Sequence, residues 1–255
     1  MTRLAFRVDG PADGPVLVLG SSLGTTTELW RPQLPVLTAT RRVVRYDHRG
    51  HGDSPAPPGP YRIDELGADL LALLDHLDVD RADIGGLSLG GMVAMSVAAH
   101  APGRVRRLAL LATSARPGQP EAWHERAAAV RAGGTAAVAD TVVGRWFTPQ
   151  FARAWPEVVA SARAMLLDTP AEGYAACCEA IAALDLTPVL DRITAPTLVV
   201  AGAGDPALPV PHSDAIVAAV KGARLAVVDA AHLVNLEQPE IVTGLLADFF
   251  AGGDR

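Results

Sequence analysis

The sequence predicts an α/β fold in which a mostly parallel central sheet is flanked by helices and carries an inserted helical cap. At both ends of the chain, short apolar segments typical of buried strands alternate with segments of helical periodicity, as in parallel sheets with crossover helices. Between them, from about residue 117 to 190, strand-like segments stop and Ala, Arg and Glu dominate. A chain of 255 residues, 49% of them hydrophobic, is large and apolar enough for one such domain.

The first half of the chain alternates strands and helices. Val16–Leu19 is a continuous apolar run between Pro15 and Gly20, as expected of a strand buried on both faces. Asp64–Leu77 repeats leucine at helical spacing, which predicts an amphipathic helix. The same criteria predict strands at Leu4–Val8, Arg42–Tyr46, Ala82–Leu87 and Val105–Leu111, and helices at Trp30–Thr38 and Gly90–His100.

The middle of the chain shows helical periods only, at Glu121–Arg131, Thr135–Trp146, Pro156–Leu167 and Ala171–Leu184. Alternation then returns, with strands at Thr197–Val200 and Arg224–Val228 and helices at Ser213–Val220 and Pro239–Phe250. We therefore expect a core built from residues 1–114 and 191–255, with residues 115–190 inserted as the helical cap.

Composition excludes several classes of protein. The net charge of −6 and the lack of a basic cluster argue against a nucleic-acid partner. The only two cysteines, Cys177 and Cys178, are adjacent, which excludes a disulfide scaffold and a cysteine-based zinc site. Residues 1–10 have no apolar signal region, and the longest uncharged stretch, Ile84–Ala99, is shorter than the roughly 20 residues of a membrane span. We expect a cytoplasmic protein with no membrane partner.

The segment Gly86-Leu87-Ser88-Leu89-Gly90 fits the pattern G-x-S-x-G between a predicted strand and a predicted helix. A serine on such a sharp turn is presented at the carboxyl edge of the sheet, and small neighbours are needed because strand and helix crowd there. The helix start supplies amide donors for negative charge that develops in a transition state. Ser88 is therefore the candidate nucleophile.

A serine nucleophile needs a base and an acid that orients it, in the chain order Ser, acid, His. His232 follows the last strand, whereas His100 ends the helix that starts at Ser88, and His124 and His212 lie on predicted helices. His232 is thus the candidate base. The candidate acid is Asp205, on a glycine-rich turn after the preceding strand, with Asp185 and Asp229 as its rivals.

Two other kinds of site, a metal site and a dinucleotide site, can be considered from the sequence. His48 and His51, with Asp47 and Asp53 nearby, resemble a metal-binding cluster, but the glycines and Pro55 around them fit a tight loop better, so no metal is expected. No G-x-G-x-x-G follows the first strand, so a dinucleotide site is not expected either.

The chain resembles an α/β-hydrolase, and within that superfamily the 3-oxoadipate enol-lactonases. The similarity extends over nearly the whole chain, including the cap. It is carried by Ser21–Thr25, Arg45–Asp47, Arg49–Gly52, Gly59–Tyr61, Gly86–Gly91, Arg145–Thr148, Glu172–Cys178 and Asp229–Leu233. One difference is Ser21, where the family often has Asn.

The resemblance implies hydrolysis of 3-oxoadipate enol-lactone to 3-oxoadipate, in the breakdown of aromatic compounds, through an acyl-enzyme and without a cofactor. It implies an oxyanion hole formed by the backbone N–H groups of Leu23 and Leu89. The partner would be a small lactone whose carboxylate needs a cation, for which Arg145 is the first candidate among the cap arginines. The remaining candidate substrate-binding residues are Ser21, Ser22, Trp123, Trp146 and Tyr174.

Two alternatives remain open from the residues alone. The same triad would serve another cofactor-free hydrolase: an esterase, a perhydrolase or haloperoxidase, or a carbon–carbon bond hydrolase. A receptor-like hydrolase that uses the pocket mainly to bind a ligand is the second alternative.

Overall fold

The structure is a computed structural model, and it describes residues 2–252. Seven strands form one sheet in the order β1-β3-β2-β4-β5-β6-β7. β1 pairs antiparallel with β3, and every other pairing is parallel, which confirms the expected mostly parallel sheet. The strands are β1 (Phe6–Asp9), β2 (Val16–Gly20), β3 (Arg42–Tyr46), β4 (Ala82–Leu87), β5 (Val105–Leu111), β6 (Thr197–Gly202) and β7 (Arg224–Val228).

Helices account for most of the remaining described chain. They are α1 (Leu34–Leu37), α2 (Ile63–His76), α3 (Leu89–His100), α4 (Pro120–Gly133), α5 (Ala139–Val143), α6 (Pro149–Ala154), α7 (Pro156–Asp168), α8 (Ala171–Ala182), α9 (Val210–Ala219), α10 (Val234–Glu237) and α11 (Pro239–Ala251). Short 3₁₀ helices cover Thr27–Gln33, Pro102–Arg104, Thr135–Ala137 and Thr187–Arg192. None of the helices within residues 2–252 is both long and apolar enough to cross a membrane.

The core of the molecule lies around the central strands. Every residue of β4 and β6 is buried, and so are all residues of α3 except His100. Such strands read as uninterrupted apolar runs because helices cover the sheet on both faces. This rigid centre fixes the point where β4 turns into α3.

Between β5 and β6 the described chain contains helices only, and we call α4–α8 (Pro120–Ala182) the inserted helices. β5 and β6 nevertheless lie side by side in the sheet, with Leu111 opposite Val200. The inserted helices therefore leave and re-enter the sheet at neighbouring strands. Whether residues 115–190 act as a separate cap stays a prediction.

Two predicted helices differ from the structure. Trp30–Thr38 is a 3₁₀ helix over Thr27–Gln33 followed by the single turn α1, because Pro32 and Pro35 each remove a backbone donor. Thr135–Trp146 is broken at Val138 into a 3₁₀ turn and the short α5, where β-branched residues lower the helix propensity.

Candidate active site

Ser88 lies on the turn between β4 and α3 in a conformation that few non-glycine residues adopt, with φ 54° and ψ −112°. Two hydrogen bonds with residues at and just after the end of β5 maintain this conformation. The Ser88 N–H donates to the carbonyl of Leu111 at 2.9 Å, and the Thr113 hydroxyl donates to the carbonyl of Ser88 at 2.7 Å. Strained backbone that the surroundings maintain in this way is typical of functional sites.

The glycines beside Ser88 are required by close packing. A Cβ on Gly86 would lie 2.2 Å from the carbonyl carbon of Gly90, and a Cβ on Gly90 would lie 2.3 Å from the carbonyl oxygen of Gly20. Strand, turn and helix therefore approach more closely than any side chain allows. This explains the spacing of the motif.

His232 and Asp205 form a buried pair at the same edge of the sheet. The His232 Nδ1 lies 2.7 Å from the Asp205 Oδ2, while the Asp205 Oδ1 accepts from the backbone N–H groups of Ala207 and Leu208 at 2.8 and 3.1 Å. Burial raises the pKa of Asp205, but the charge of His232 and these hydrogen bonds outweigh it, so the pKa lies below its ordinary value. Asp205 is thus ionised at neutral pH, and it fixes the proton of His232 on Nδ1.

The other candidates for the acid and the base of the triad are exposed or contact other groups. Asp185 accepts hydrogen bonds from the N–H and the hydroxyl of Thr187, and Asp229 is exposed. His100 contacts the carbonyl of Ser96 in its own helix, and the His212 Nδ1 lies 2.9 Å from the Ser114 hydroxyl. The fifth rival, His124, is exposed on α4.

The loop after β2 and the start of α3 hold the two residues expected to form an oxyanion hole, Leu23 and Leu89. Leu23 lines the cavity that Ser88 opens into. Leu89 is the first residue of α3, so its N–H has no acceptor within the helix. The carbonyl of Ser21 accepts from the N–H of Gly90 at 3.0 Å, which joins this loop to the first turn of α3.

The histidines that resembled a metal cluster hold the same loop. The His48 Nε2 donates to the carbonyl of Ser21 at 2.9 Å, and the His51 Nε2 accepts from the N–H of Gly24 at 2.9 Å. Burial lowers the pKa of His51 to about 4 and, together with the neighbouring His51, the pKa of His48 to about 3. Both rings are therefore neutral at pH 7. Residues 2–252 contain no group of three or more His, Cys, Asp or Glu side chains placed to hold a metal ion.

One cavity joins most of the predicted site residues. Its lining contains Ser88 and His232 together with the predicted residues Ser22, Leu23, Trp123, Arg145, Trp146 and Tyr174. Asp205, which contacts His232, and Leu89, at the start of α3, are buried and are not among the lining residues. Ser21 is not among the lining residues, because its hydroxyl donates to the carbonyl of Thr26 and its carbonyl is taken by His48 and Gly90.

Five lining residues were not predicted as part of the site: Met92, Arg126, Val142, Ala207 and Leu208. Arg126 had a readable signal, since it follows Trp123 by three residues on a predicted helix and therefore lies on the same face. In the structure its guanidinium lies 4.5 Å from the centre of the Trp123 ring. The other four depend on packing between distant segments.

The class of protein that combines this sheet with a serine on the strand-to-helix turn is the α/β hydrolase. Comparison with known proteins supports this class. The family described as alpha/beta hydrolase fold matches residues 15–239 of the chain. The chain is 42% identical over 237 residues to 3-oxoadipate enol-lactonase 2 of Acinetobacter baylyi, covering 93% of this chain and 89% of that protein. It is 33% identical to 3-oxoadipate enol-lactonase 1 of the same organism, covering 96% and 92%.

Solved structures give the same result. The crystal structure of the enol-lactonase from Burkholderia xenovorans superposes with a TM-score of 0.97 at 42% identity, covering 98% of this chain and 97% of that one. The chain therefore belongs to the 3-oxoadipate enol-lactonase family of α/β hydrolases, and it is a hydrolase.

Proposed function

We propose that this chain hydrolyses 3-oxoadipate enol-lactone to 3-oxoadipate through a Ser88–His232–Asp205 triad. The observation that carries the proposal is the 2.7 Å contact between His232 and Asp205 in a cavity that His232 shares with the strained Ser88. The names of the relatives at 42% and 33% identity support the choice of substrate. The reaction would belong to the breakdown of aromatic compounds in the cytoplasm.

The first half of the proposed reaction opens the ring. Because Asp205 keeps the His232 proton on Nδ1, the Nε2 is free to accept the proton of the Ser88 hydroxyl as its oxygen attacks the lactone carbonyl. The N–H groups of Leu23 and Leu89 stabilise the negative oxygen of the tetrahedral intermediate. Collapse breaks the ring C–O bond, His232 returns its proton to the departing enol oxygen, and the enol becomes a ketone.

The second half releases the product. The opened chain stays attached to Ser88 as an ester, so its former ring oxygen is retained in the acyl-enzyme. His232 removes a proton from water, which attacks the ester carbonyl, and the proton then returns to the Ser88 oxygen as the acid leaves. The sum is one lactone and one water converted to one open-chain acid.

We further propose that residues 115–190 form a cap that determines the substrate. Trp123 and Arg126 on α4, Tyr174 on α8 and Trp146 after α5 all line the cavity. The triad itself is shared by many hydrolases, whereas these side chains are particular to the inserted helices.

The test is turnover of freshly generated enol-lactone, followed by ultraviolet absorbance. We expect many turnovers per enzyme and a kcat/KM at least about 100-fold above that for a simple aryl ester. A faster rate on the aryl ester would favour a general esterase. A single turnover followed by arrest would favour the receptor-like alternative.

A further inference from the structure

We propose that His51 is a positioning residue for the oxyanion hole, because it holds the turn that presents the backbone N–H of Leu23 beside Ser88. This inference rests on one part of the proposed function, the assignment of Leu23 and Leu89 as oxyanion donors. His51 is fully buried and does not line the cavity, so it acts through the backbone rather than on the substrate.

Leu23 is the second residue of a tight turn, Ser22–Thr25. The carbonyl of Ser22 accepts from the N–H of Thr25 at 3.1 Å and from its hydroxyl at 2.8 Å. Gly24, the third residue, has a φ of 76°, which is typical of a type II turn and favours glycine. The Ser22 carbonyl and the Leu23 N–H belong to the same planar peptide and point in opposite directions. Because Thr25 holds the carbonyl inside the turn, the Leu23 N–H is directed out of it.

The Leu23 N–H is available to a ligand. It has no acceptor among residues 2–252, and Leu23 lines the same cavity as Ser88. The N–H of Leu89 likewise has no acceptor in that part of the chain. Two free donors beside a serine hydroxyl are what a developing oxyanion requires, and a change in the direction of either donor weakens the interaction.

The hydrogen bond to His51 fixes the peptide that follows Leu23. The N–H of Gly24 donates to the His51 Nε2 at 2.9 Å in a buried contact. Leu23 therefore lies between two fixed peptides, one held by Thr25 and one held by His51. Without an acceptor, the buried N–H of Gly24 would favour another turn conformation that satisfies it, and the N–H of Leu23 would then have a different direction.

The protonation state of His51 suits this role. The His51 Nδ1 lies 3.3 Å from the carbonyl of Arg49, to which it donates, so the Nε2 is left as an acceptor. Burial lowers the pKa of His51 to about 4, so the ring is neutral at pH 7 and the Nε2 keeps its lone pair.

The segment that carries His51 is itself fixed against α8. A Cβ on Gly50 would lie 2.4 Å from the Cα of Gly173, so the two backbones are in direct contact. The N–H of His51 donates to the carbonyl of His48 at 2.9 Å, and the N–H of Gly50 donates to the carbonyl of Pro55 at 2.8 Å. The ring is therefore held by a well-supported loop, as a positioning residue requires.

The experiment compares His51→Asn with His51→Gln, two changes to an amide that differ by one methylene. The longer Gln can place its amide oxygen where the ring has Nε2, whereas Asn is too short to reach the N–H of Gly24. We expect His51→Asn to lower kcat about 100-fold for p-nitrophenyl acetate and for the enol-lactone, with KM changed less than about threefold. We expect His51→Gln to keep kcat within about fivefold of the wild type.

Ser54→Ala is the matched control. Ser54 lies in the same loop, and its hydroxyl accepts from the N–H of Ala5 at 2.8 Å, so this variant also removes the acceptor of one backbone N–H, but away from the Ser22–Thr25 turn. Its kcat should stay within about threefold of the wild type. Circular dichroism checks the fold of each variant, and His51→Leu, which fills similar space but cannot accept, replaces His51→Asn if that variant does not fold.

Butylboronic acid gives a second readout that a purely structural role would not change. Its boron bonds to the Ser88 oxygen, the hydroxyl proton passes to His232, and the tetrahedral adduct is negative like the intermediate. Calorimetric titration of His51→Asn should give a Kd about 100-fold weaker than that of the wild type, whereas the Kd of His51→Gln should stay close to it.

Equal losses of kcat in His51→Asn and His51→Gln would overturn the proposal, and so would an equal loss in Ser54→Ala. A His51→Asn variant with a raised KM but unchanged kcat and boronate affinity would also overturn it. If the wild type hydrolyses p-nitrophenyl acetate but no enol-lactone, the proposed substrate fails, and the ester and the boronate still decide the role of His51. A wild type that binds no boronate at about 10 mM would refute the oxyanion hole and the role of His51 with it.

Discussion

The carboxylate of Glu237 accepts hydrogen bonds both from Ala231, the residue before His232, and from Thr148, which lies between α5 and α6. Glu237 is buried, and its Oε2 accepts from the N–H of Ala231 at 3.0 Å and from the N–H of Thr148 at 3.1 Å, while the Thr148 hydroxyl donates to the Oε1. On the other side of His232, the N–H of Leu233 donates to the carbonyl of Trp146 at 2.9 Å. The backbone on both sides of His232 is thus attached to the segment after α5, at Trp146, which lines the cavity, and at Thr148.

Glu237→Gln tests this attachment. An amide places an N–H₂ group where the carboxylate accepted from N–H donors, so one or more of these bonds is lost. We expect kcat to fall about tenfold with a smaller change in KM, because His232 is displaced rather than removed. Steady-state kinetics on the enol-lactone measure both. Glu240→Gln, an exposed change three residues away, is the control, and a similar loss there would contradict the positioning role.

Ser88→Ala removes the proposed nucleophile. We expect the circular dichroism spectrum to be unchanged and turnover to fall by roughly 10⁴-fold, as in other serine triads. A variant that kept a tenth of the wild-type rate would exclude Ser88 as nucleophile. Mass spectrometry of a reaction stopped by acid supplies an independent measurement, since only the wild type should carry an acyl group.

Asp205→Asn tests the acid of the triad. The neutral amide favours the wrong tautomer of His232, so turnover should fall by roughly 10⁴-fold. Asp229→Asn is the matched control, because Asp229 precedes the same histidine in the chain but is exposed. If Asp229→Asn were the damaging change and Asp205→Asn mild, the assignment of the acid would be reversed.

Stability should fall in mild acid because of His48 and His51. Their pKa values of about 3 and about 4 lie below the ordinary value of 6.5, so the unfolded chain binds more protons than the folded one between pH 6.5 and about 4. Their contribution is therefore complete above pH 6.5 and is lost as the pH falls toward 4. Each histidine should lower the free energy of unfolding by about 2 kcal/mol between pH 7 and pH 5.

Urea unfolding at the two pH values measures this loss. In His51→Gln, where an amide oxygen can still accept from the N–H of Gly24, the difference between pH 7 and pH 5 should shrink by about half. His124→Gln removes an exposed histidine and should leave the difference unchanged. A wild type as stable at pH 5 as at pH 7 would show that the two buried rings do not govern acid stability.

The first and last residues of some strands could be predicted from the sequence, because the residues that mark these ends are close to them in the chain. Ala82–Leu87, Val105–Leu111 and Arg224–Val228 are short, mostly apolar segments between polar or helical stretches, and the structure has strands at those bounds. The helix Pro149–Ala154 was not predicted, because six residues are too few to show a helical period.

The candidate site likewise contains residues that the sequence predicts and residues that it does not. Ser88, Asp205 and His232 were found because parallel strands end at one edge of the sheet, so chain order alone indicates which loops meet. Val142 and Leu208 were not, because their approach to the cavity depends on how the inserted helices pack together and on how the loop after β6 folds back. Packing between segments far apart in the chain leaves little pattern in one sequence.

The side-by-side arrangement of β5 and β6 makes the stretch between them exchangeable during evolution. Its two ends are fixed by neighbouring strands of the sheet, with Leu108 opposite Thr197 and Leu111 opposite Val200, and the entropy of closing a loop rises only with the logarithm of its length. Related chains can therefore diverge in the substrates they accept by remodelling this stretch while keeping the catalytic edge of the sheet. Glu237 and Leu233 limit this exchange. Any new sequence between β5 and β6 must still supply donors to the Glu237 carboxylate and a carbonyl acceptor to the Leu233 N–H, because these bonds support the backbone around His232.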